Sequence, residues 1–132
     1  MLRPVRRPIV AVLAVSGVLS GCGDGPSDTQ RVHDVVEAFG QASAAKDYQR
    51  LCDDLLAPKL VSEVESTGLP CELALKQGLG DVSSPKLTIG TIRVNGDAAT
   101  ADVQSSAEGE EPSRDTLQLV RVNDSWRIAS LK

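Results

Sequence analysis

The chain has 132 residues, 41% of them hydrophobic, which is ordinary for a small globular domain and too apolar for a disordered segment. Its 18 acidic residues outnumber 14 basic ones, for a net charge of −4, a balance that disfavours nucleic acid as a partner. One Phe, one Tyr and one Trp also leave too few aromatic platforms for stacking single-stranded bases.

The chain opens with a basic stretch, Arg3, Arg6 and Arg7, followed by an almost wholly apolar run from Ile9 to Leu19 and then by Ser20-Gly21-Cys22. The run is about 11 residues long, where a membrane-spanning helix needs roughly 20. No A-x-A cleavage site follows it, and Pro8 stands where a twin-arginine signal wants another residue. Leu19-Ser20-Gly21-Cys22 resembles the lipobox of bacterial lipoproteins. That resemblance implies cleavage before Cys22, a diacylglycerol and palmitate-type acyl chains on this residue, and a protein held on the extracytoplasmic face of the cell membrane. Residues 1–21 are then the signal peptide, 22–28 the lipidated cysteine and a flexible tether, and 29–132 a single domain. Each buried methylene contributes about 0.8 kcal/mol, so two or three chains hold permanently where one binds only marginally. A tether of this glycine-rich kind reaches roughly 13–15 Å, which keeps the domain close to the bilayer. Removing 21 residues leaves 111, enough for one modest core. Three of the 14 basic residues leave with the signal and all 18 acidic ones stay, so the mature part carries 11 against 18, a net −7. An anionic bilayer repels such a domain, and lipid rather than charge must hold it.

With Cys22 assigned to lipid, Cys52 and Cys71 remain. In an exported domain the pair reads as a structural disulfide, closing a loop of about 20 residues for roughly 3 kcal/mol. A metal site and a redox dithiol are the competing readings. The first finds no histidine nearby, His33 being far away in sequence, and the second normally has C-x-x-C spacing.

Ser27-Asp28-Thr29-Gln30 has the S-x-x-Q form of a capping box and predicts a helix to about Lys46, with Val32, Val35, Val36, Phe39 and Ala42 on its apolar face. Asp47 is placed to cap a second helix carrying Leu51, Cys52, Leu55 and Leu56. Pro58 starts a third piece, with Leu60, Val61 and Val64 inward and Gly68 at its end, and Pro70 starts a fourth that stops near Gly78-Leu79-Gly80. After Ser83-Ser84-Pro85 the pattern becomes that of strands. Leu87-Thr88-Ile89 and Ile92-Arg93-Val94 alternate on opposite parity, with Gly90 between them as a bulge requires. Asn95-Gly96 signals a hairpin, and Ala99, Ala101 and Val103 line one face of the next strand. The acidic loop Glu108-Gly109-Glu110-Glu111-Pro112 precedes a strand over 117–122, Asn123-Asp124 makes a tight turn, and residues 126–131 form the last strand. Helices first and a four-stranded antiparallel meander second make an α+β domain.

The opening helix, the Lys46-Asp47-Tyr48 step and the closing Val122-Asn123-Asp124-Ser125-Trp126-Arg127-Ile128 hairpin resemble the nuclear-transport-factor-two-like superfamily, which includes ketosteroid isomerase and scytalone dehydratase. The likeness covers about residues 29–131. It implies N-terminal helices packed on a curved sheet, in a cone-like arrangement that leaves a pocket. Phe39, Tyr48, Trp126 and Ile128 are then the candidate pocket-lining residues, with core filling as the competing role for each. One departure from the pattern is the short strand that members often carry between early helices, which has no evident counterpart here.

A catalytic set is harder to assemble. Enzymes of this kind use a carboxylate or histidine base opposite a tyrosine or acid. His33 falls at the edge of an apolar stripe, Tyr48 has no evident partner, and Asp102, Asp53-Asp54 and Glu63-x-Glu65 fall on polar faces. No metal, cofactor or nucleotide motif is present. The expectation is therefore a non-catalytic interaction module, docking an envelope protein through a sheet face near Thr100, Gln104, Gln118 and Arg121. The alternative is a pocket for a small apolar ligand or lipid, and an isomerase or dehydratase comes third. Cys22→Ser should move the protein wholly from the membrane to the soluble fraction on cell fractionation; continued membrane association would contradict the lipid anchor.

Overall fold

The computed structural model describes residues 25–131; the expected signal peptide and the expected lipidation site Cys22 lie outside the described residues. Helix α1 spans Asp28–Ala45, α2 spans Tyr48–Arg50 and runs on as a π turn over Leu51–Leu55, α3 spans Pro58–Glu65 and α4 spans Cys71–Leu79. Four strands follow: β1 (Lys86–Asn95), β2 (Ala98–Ser106), β3 (Ser113–Val122) and β4 (Ser125–Leu131). They form one antiparallel sheet in sequence order, and the helices cover one face of it. Among the described residues no helix is long and apolar enough to cross a membrane.

Half of the predicted capping box closes. Ser27 Oγ accepts from the Gln30 backbone N–H at 3.2 Å, but the Gln30 side chain turns forward and donates to Asp34 Oδ1 at 2.8 Å. Asp28, assigned by sequence to the tether, is already in the first turn of α1. The helix ends where Lys46 takes the left-handed conformation (φ 55°), and the Lys46 ammonium donates to the Gly80 carbonyl at 2.6 Å, capping α4 as well. Asp47 caps α2 as expected, its carboxylate accepting from the Arg50 N–H.

The second helix is shorter than its apolar pattern suggests. Its wide π turn closes with Leu56 N–H donating to Leu51 O, and it buries Leu51, Cys52 and Leu55 in succession. Leu56 then turns extended and forms a single parallel bridge with Ile128, while Ala57 N–H donates to Ile128 O at 2.7 Å. The extended segment goes no further, because Pro58 starts α3 immediately afterwards. Arg127 donates to the Asp53 carbonyl, an otherwise orphaned acceptor at the end of the π turn.

In the sheet, Ile89 pairs with Val103 and Ile92 with Ala101, so Gly90 and Thr91 together face Asp102. This is the bulge anticipated at Gly90, where a Cβ would lie 3.2 Å from Asp102 O. The bulge switches the inward parity of β1 from Leu87 and Ile89 to Ile92 and Val94, all of which pack on the core. The first hairpin forms one residue later than its signal. Asn95 pairs with Ala98, and Gly96 (φ 62°) with Asp97 makes a type II′ pattern. Asn123 and Asp124, at φ 49° and 65°, form the second turn in the type I′ pattern. β3 begins at Ser113, four residues ahead of its predicted start, because polar Ser113, Arg114 and Thr116 hide the strand's periodicity.

The core lies between α1 and the sheet. Val32 and Val36 meet Ala99, Ala101, Leu117, Leu119, Trp126 and Ile128, and the two alanines leave room for the helix. Cys52 and Cys71 are bonded, Cα to Cα 6.1 Å, and both are buried in this cluster. The bond joins the π turn to the first residue of α4, whose N–H also reaches Glu65 Oε1. Replacing both cysteines by alanine should lower unfolding stability by about 3 kcal/mol in urea titrations, and a loss below about 1 kcal/mol would contradict the staple.

Candidate functional site

The two ends of the sheet differ. At the end carrying the two hairpin turns, large side chains fill the space under α1. At the other end both layers are built of small residues: Gly40 and Ser43 on α1 face Ser105, Ser106 and Ser113 on the sheet and Ala107 just beyond β2. Nothing there is large enough to close the gap, and a cavity of about 250 Å³ remains. Its floor is apolar, made by Phe39, Leu79, Val82, Leu87, Val103 and Leu117, and Lys86, Glu110, Glu111 and Asp115 supply its charged groups. α1 approaches so closely here that a Cβ on Gly40 would sit 3.1 Å from Leu87 Cβ. The acidic loop is held beside the mouth by Glu108 N–H donating to Ser83 O.

Asp115 is the half-buried carboxylate of this cavity. Its Oδ2 accepts from Ser113 Oγ at 3.0 Å and from Ser105 Oγ at 3.4 Å, and the two hydroxyls lie 2.8 Å apart. Sequence inspection missed this residue. The available signal was parity, since Asp115 shares the inward parity of Leu117 and Leu119 once β3 is extended back to Ser113.

Of the four candidate lining residues, Phe39 alone lines this cavity. Trp126 and Ile128 are 3% and 0% exposed and fill the core instead, because β4 lies under the well-packed end of α1. Tyr48 faces a separate open groove beside the disulfide, together with Val61, Pro70 and Leu73, and its hydroxyl has no hydrogen-bond partner among the described residues. His33 sits 3.7 Å from Asp34, close to Glu37, on a solvated face of α1. Asp102, on the outer sheet face, accepts from Thr116 at 3.1 Å and pairs with Arg93 at 3.4 Å.

Arg121 does not join that outer face. It has the inward parity of Leu117 and Leu119 and reaches α1 at the turn end of the sheet, where Nη2 donates to Asp28 Oδ2 at 2.7 Å. Trp126 Nε1 donates to the other oxygen, Oδ1, at 3.3 Å, and the guanidinium stacks over the indole at 4.9 Å. Asp97 stands 3.6 Å from Arg121 Nε, an ion pair too long for a hydrogen bond. The indole hydrogen bond first, then the Arg121 hydrogen bond and the charges of Arg121 and Arg31, hold the Asp28 carboxyl below its ordinary value of 3.8, against opposing desolvation.

Residues 75–131, the end of α4 and the four strands, match a family model described as "putative lumazine-binding". Among solved structures, a protein of unknown function from Silicibacter pomeroyi described as NTF-2 like superposes with a TM-score of 0.56 at 19% identity, covering 77% of this chain and 90% of that one. A "putative dehydratase" of the NTF2-like family from Streptomyces avermitilis gives 0.53 at 15% identity, covering 77% and 91%. A de novo designed NTF2 fold protein gives 0.54 at 15%, covering 80% and 87%. No curated protein matches the sequence.

The fold is NTF2-like. In this α+β cone the hairpin-turn end is closed by Trp126 and the Asp28–Arg121 pair, and the opposite end stays open. Because folding lowers the Asp28 pKa, its ionised form contributes stability above pH 3.8, and that contribution is lost as pH falls from there through the lowered folded-state value. In urea titrations at pH 7 and pH 3, Asp28→Asn should therefore lose less stability on acidification than the wild type. Equal losses would show that the pair contributes nothing.

Proposed function

We propose that this is an exported, lipid-anchored protein whose NTF2-like domain holds a small molecule without turning it over. The cavity at the open end carries this reading. It is concave, has an apolar floor and a few convergent polar groups, and so has the composition of a ligand site. At about 250 Å³ it suits a compact, ring-sized ligand rather than a two-chain lipid. The family model that matches the strands is likewise described by small-molecule binding.

Non-catalytic holding is favoured by the lining. Asp115 is its one half-buried titratable side chain, its contacts are two serine hydroxyls, and no histidine or tyrosine lines the cavity to act as its partner in proton transfer. Attachment through Cys22 is supported by the lipobox-like Leu19-Ser20-Gly21-Cys22. Its consequence is directional. The tether would join α1 at Asp28, on the turn end of the sheet, while the cavity begins at Phe39, eleven residues along the helix. At 1.5 Å per residue that is roughly 16 Å, so the mouth is presented away from the point of attachment. The site then samples solutes of the extracytoplasmic space rather than lipid in the bilayer.

Docking to an envelope protein is the second reading, and the groove beside the disulfide favours it, with Leu73 44% exposed. The outer sheet face supports docking less well. Its polar side chains bond one another, Arg93 and Thr116 to Asp102 and Ser130 to Gln118, which leaves little apolar surface to bury.

Ser43→Phe places a ring in the cavity from the rigid face of α1. Titrated with 1-aminoanthracene, a neutral fluorescent aromatic, the wild-type domain should show one saturable site and the Ser43→Phe domain should bind about tenfold more weakly or worse. Unchanged binding in a folded Ser43→Phe protein, or no saturable site in the wild type, would overturn the pocket.

A further inference from the structure

The charges around the cavity are unbalanced in a way that names a ligand class. Glu110, Glu111 and Asp115 face one ammonium, that of Lys86. Among the described residues none of the three carboxylates is within ion-pair distance of a basic group; the pairs that do form are at His33–Asp34, Arg93–Asp102 and Arg121 with Asp28 and Asp97. Glu110 and Glu111 are exposed and meet water freely. Asp115 is different, because it is half-buried and points inward beside Leu117. The contacts that the serine hydroxyls make to Asp115 both fall on Oδ2, so Oδ1 keeps its acceptor capacity.

We infer that the cavity selects a compact ligand with an apolar ring and a cationic ammonium or amidinium group, the ring on the Phe39–Leu87 floor and the cation against Asp115. This deepens the pocket reading above and rests on it. The physical basis is complementarity. A carboxylate without an ion-pair partner at the edge of an apolar cavity gains from a counter-charge, while two further carboxylates at the mouth raise the local concentration of cations. An anionic ligand would lose on both counts. Lys86 is exposed and makes no ion pair with the three carboxylates, and its single charge offsets only one of the three.

The test uses three probes of one shape: 2-phenylethylammonium, 2-phenylethanol and 3-phenylpropionate, titrated by NMR into the mature chain with Cys22 replaced by serine. The expected order is cation tightest, neutral alcohol next, carboxylate weakest. Asp115→Asn should weaken the cation about five- to tenfold, the order for one charge-assisted contact near solvent, and leave the alcohol unchanged. The cation's advantage should also shrink with added salt. Glu110→Gln with Glu111→Gln, both in an exposed loop, should weaken the cation by a smaller factor without endangering the fold. Equal binding of cation and alcohol would overturn the charge selection and leave the pocket standing. Binding of none of the three would overturn this inference, and with no saturable 1-aminoanthracene site in the wild type either it would overturn the pocket as well.

Discussion

The position of α1 on the inner face of the sheet is the constraint on which the rest of the molecule depends. Three contacts set it: the Asp28 carboxylate held by Arg121 and Trp126 at one end, Val32 and Val36 against the two sheet alanines in the middle, and Gly40 against Leu87 at the other. The first fixes the helix start over the hairpin-turn end, where Trp126, Leu119 and Ile128 supply bulk. The last draws the helix down where side chains are small on both layers. A rigid rod fastened in this way cannot tilt to close the gap at the open end, so the cavity persists as a consequence of helix placement.

The remaining helices support this arrangement from the side. α2 and its π turn bury Leu51 and Leu55 against Ala42, and the single Leu56–Ile128 bridge ties the turn to the edge strand β4. Arg127 and Lys46 spend their charges on carbonyls at helix ends, and the disulfide joins the π turn to α4. Most of the polar chemistry here is therefore structural. At the mouth of the cavity, by contrast, Glu110, Glu111 and Asp115 form no ion pair with a basic group among the described residues.

Legibility from sequence followed the strength of local pattern. The helices of the first half, the Gly90 bulge, both hairpins and the meander were readable because capping residues, turn pairs and alternation are local signals. The π turn was not, since its residues carry ordinary helical spacing and the wider turn is imposed by burial of Leu55, Leu56 and Ala57 just before Pro58. The cavity was legible only in part: Phe39 lines it, whereas Trp126 and Ile128 take the competing role of core filling. Trp126 and Ile128 attract attention by size, but size fills space, and the cavity lies where residues are small. Gly40, Ser43, Ser105 and Ser113 are unremarkable singly, and only their convergence across two layers makes a hollow. Arg121 was assigned to the outer face because its inward parity ends in a salt bridge to α1, far away in sequence.

Native mass spectrometry of the protein extracted in mild detergent from its own membranes tests the central claim most directly. The account predicts a mature chain starting at an acylated Cys22 and carrying a small adduct, basic and ring-sized, that survives gentle ionisation and leaves on denaturation. A chain lacking acyl mass, or one whose bare mass is unchanged in every gentle preparation, would contradict a lipid-anchored binding protein.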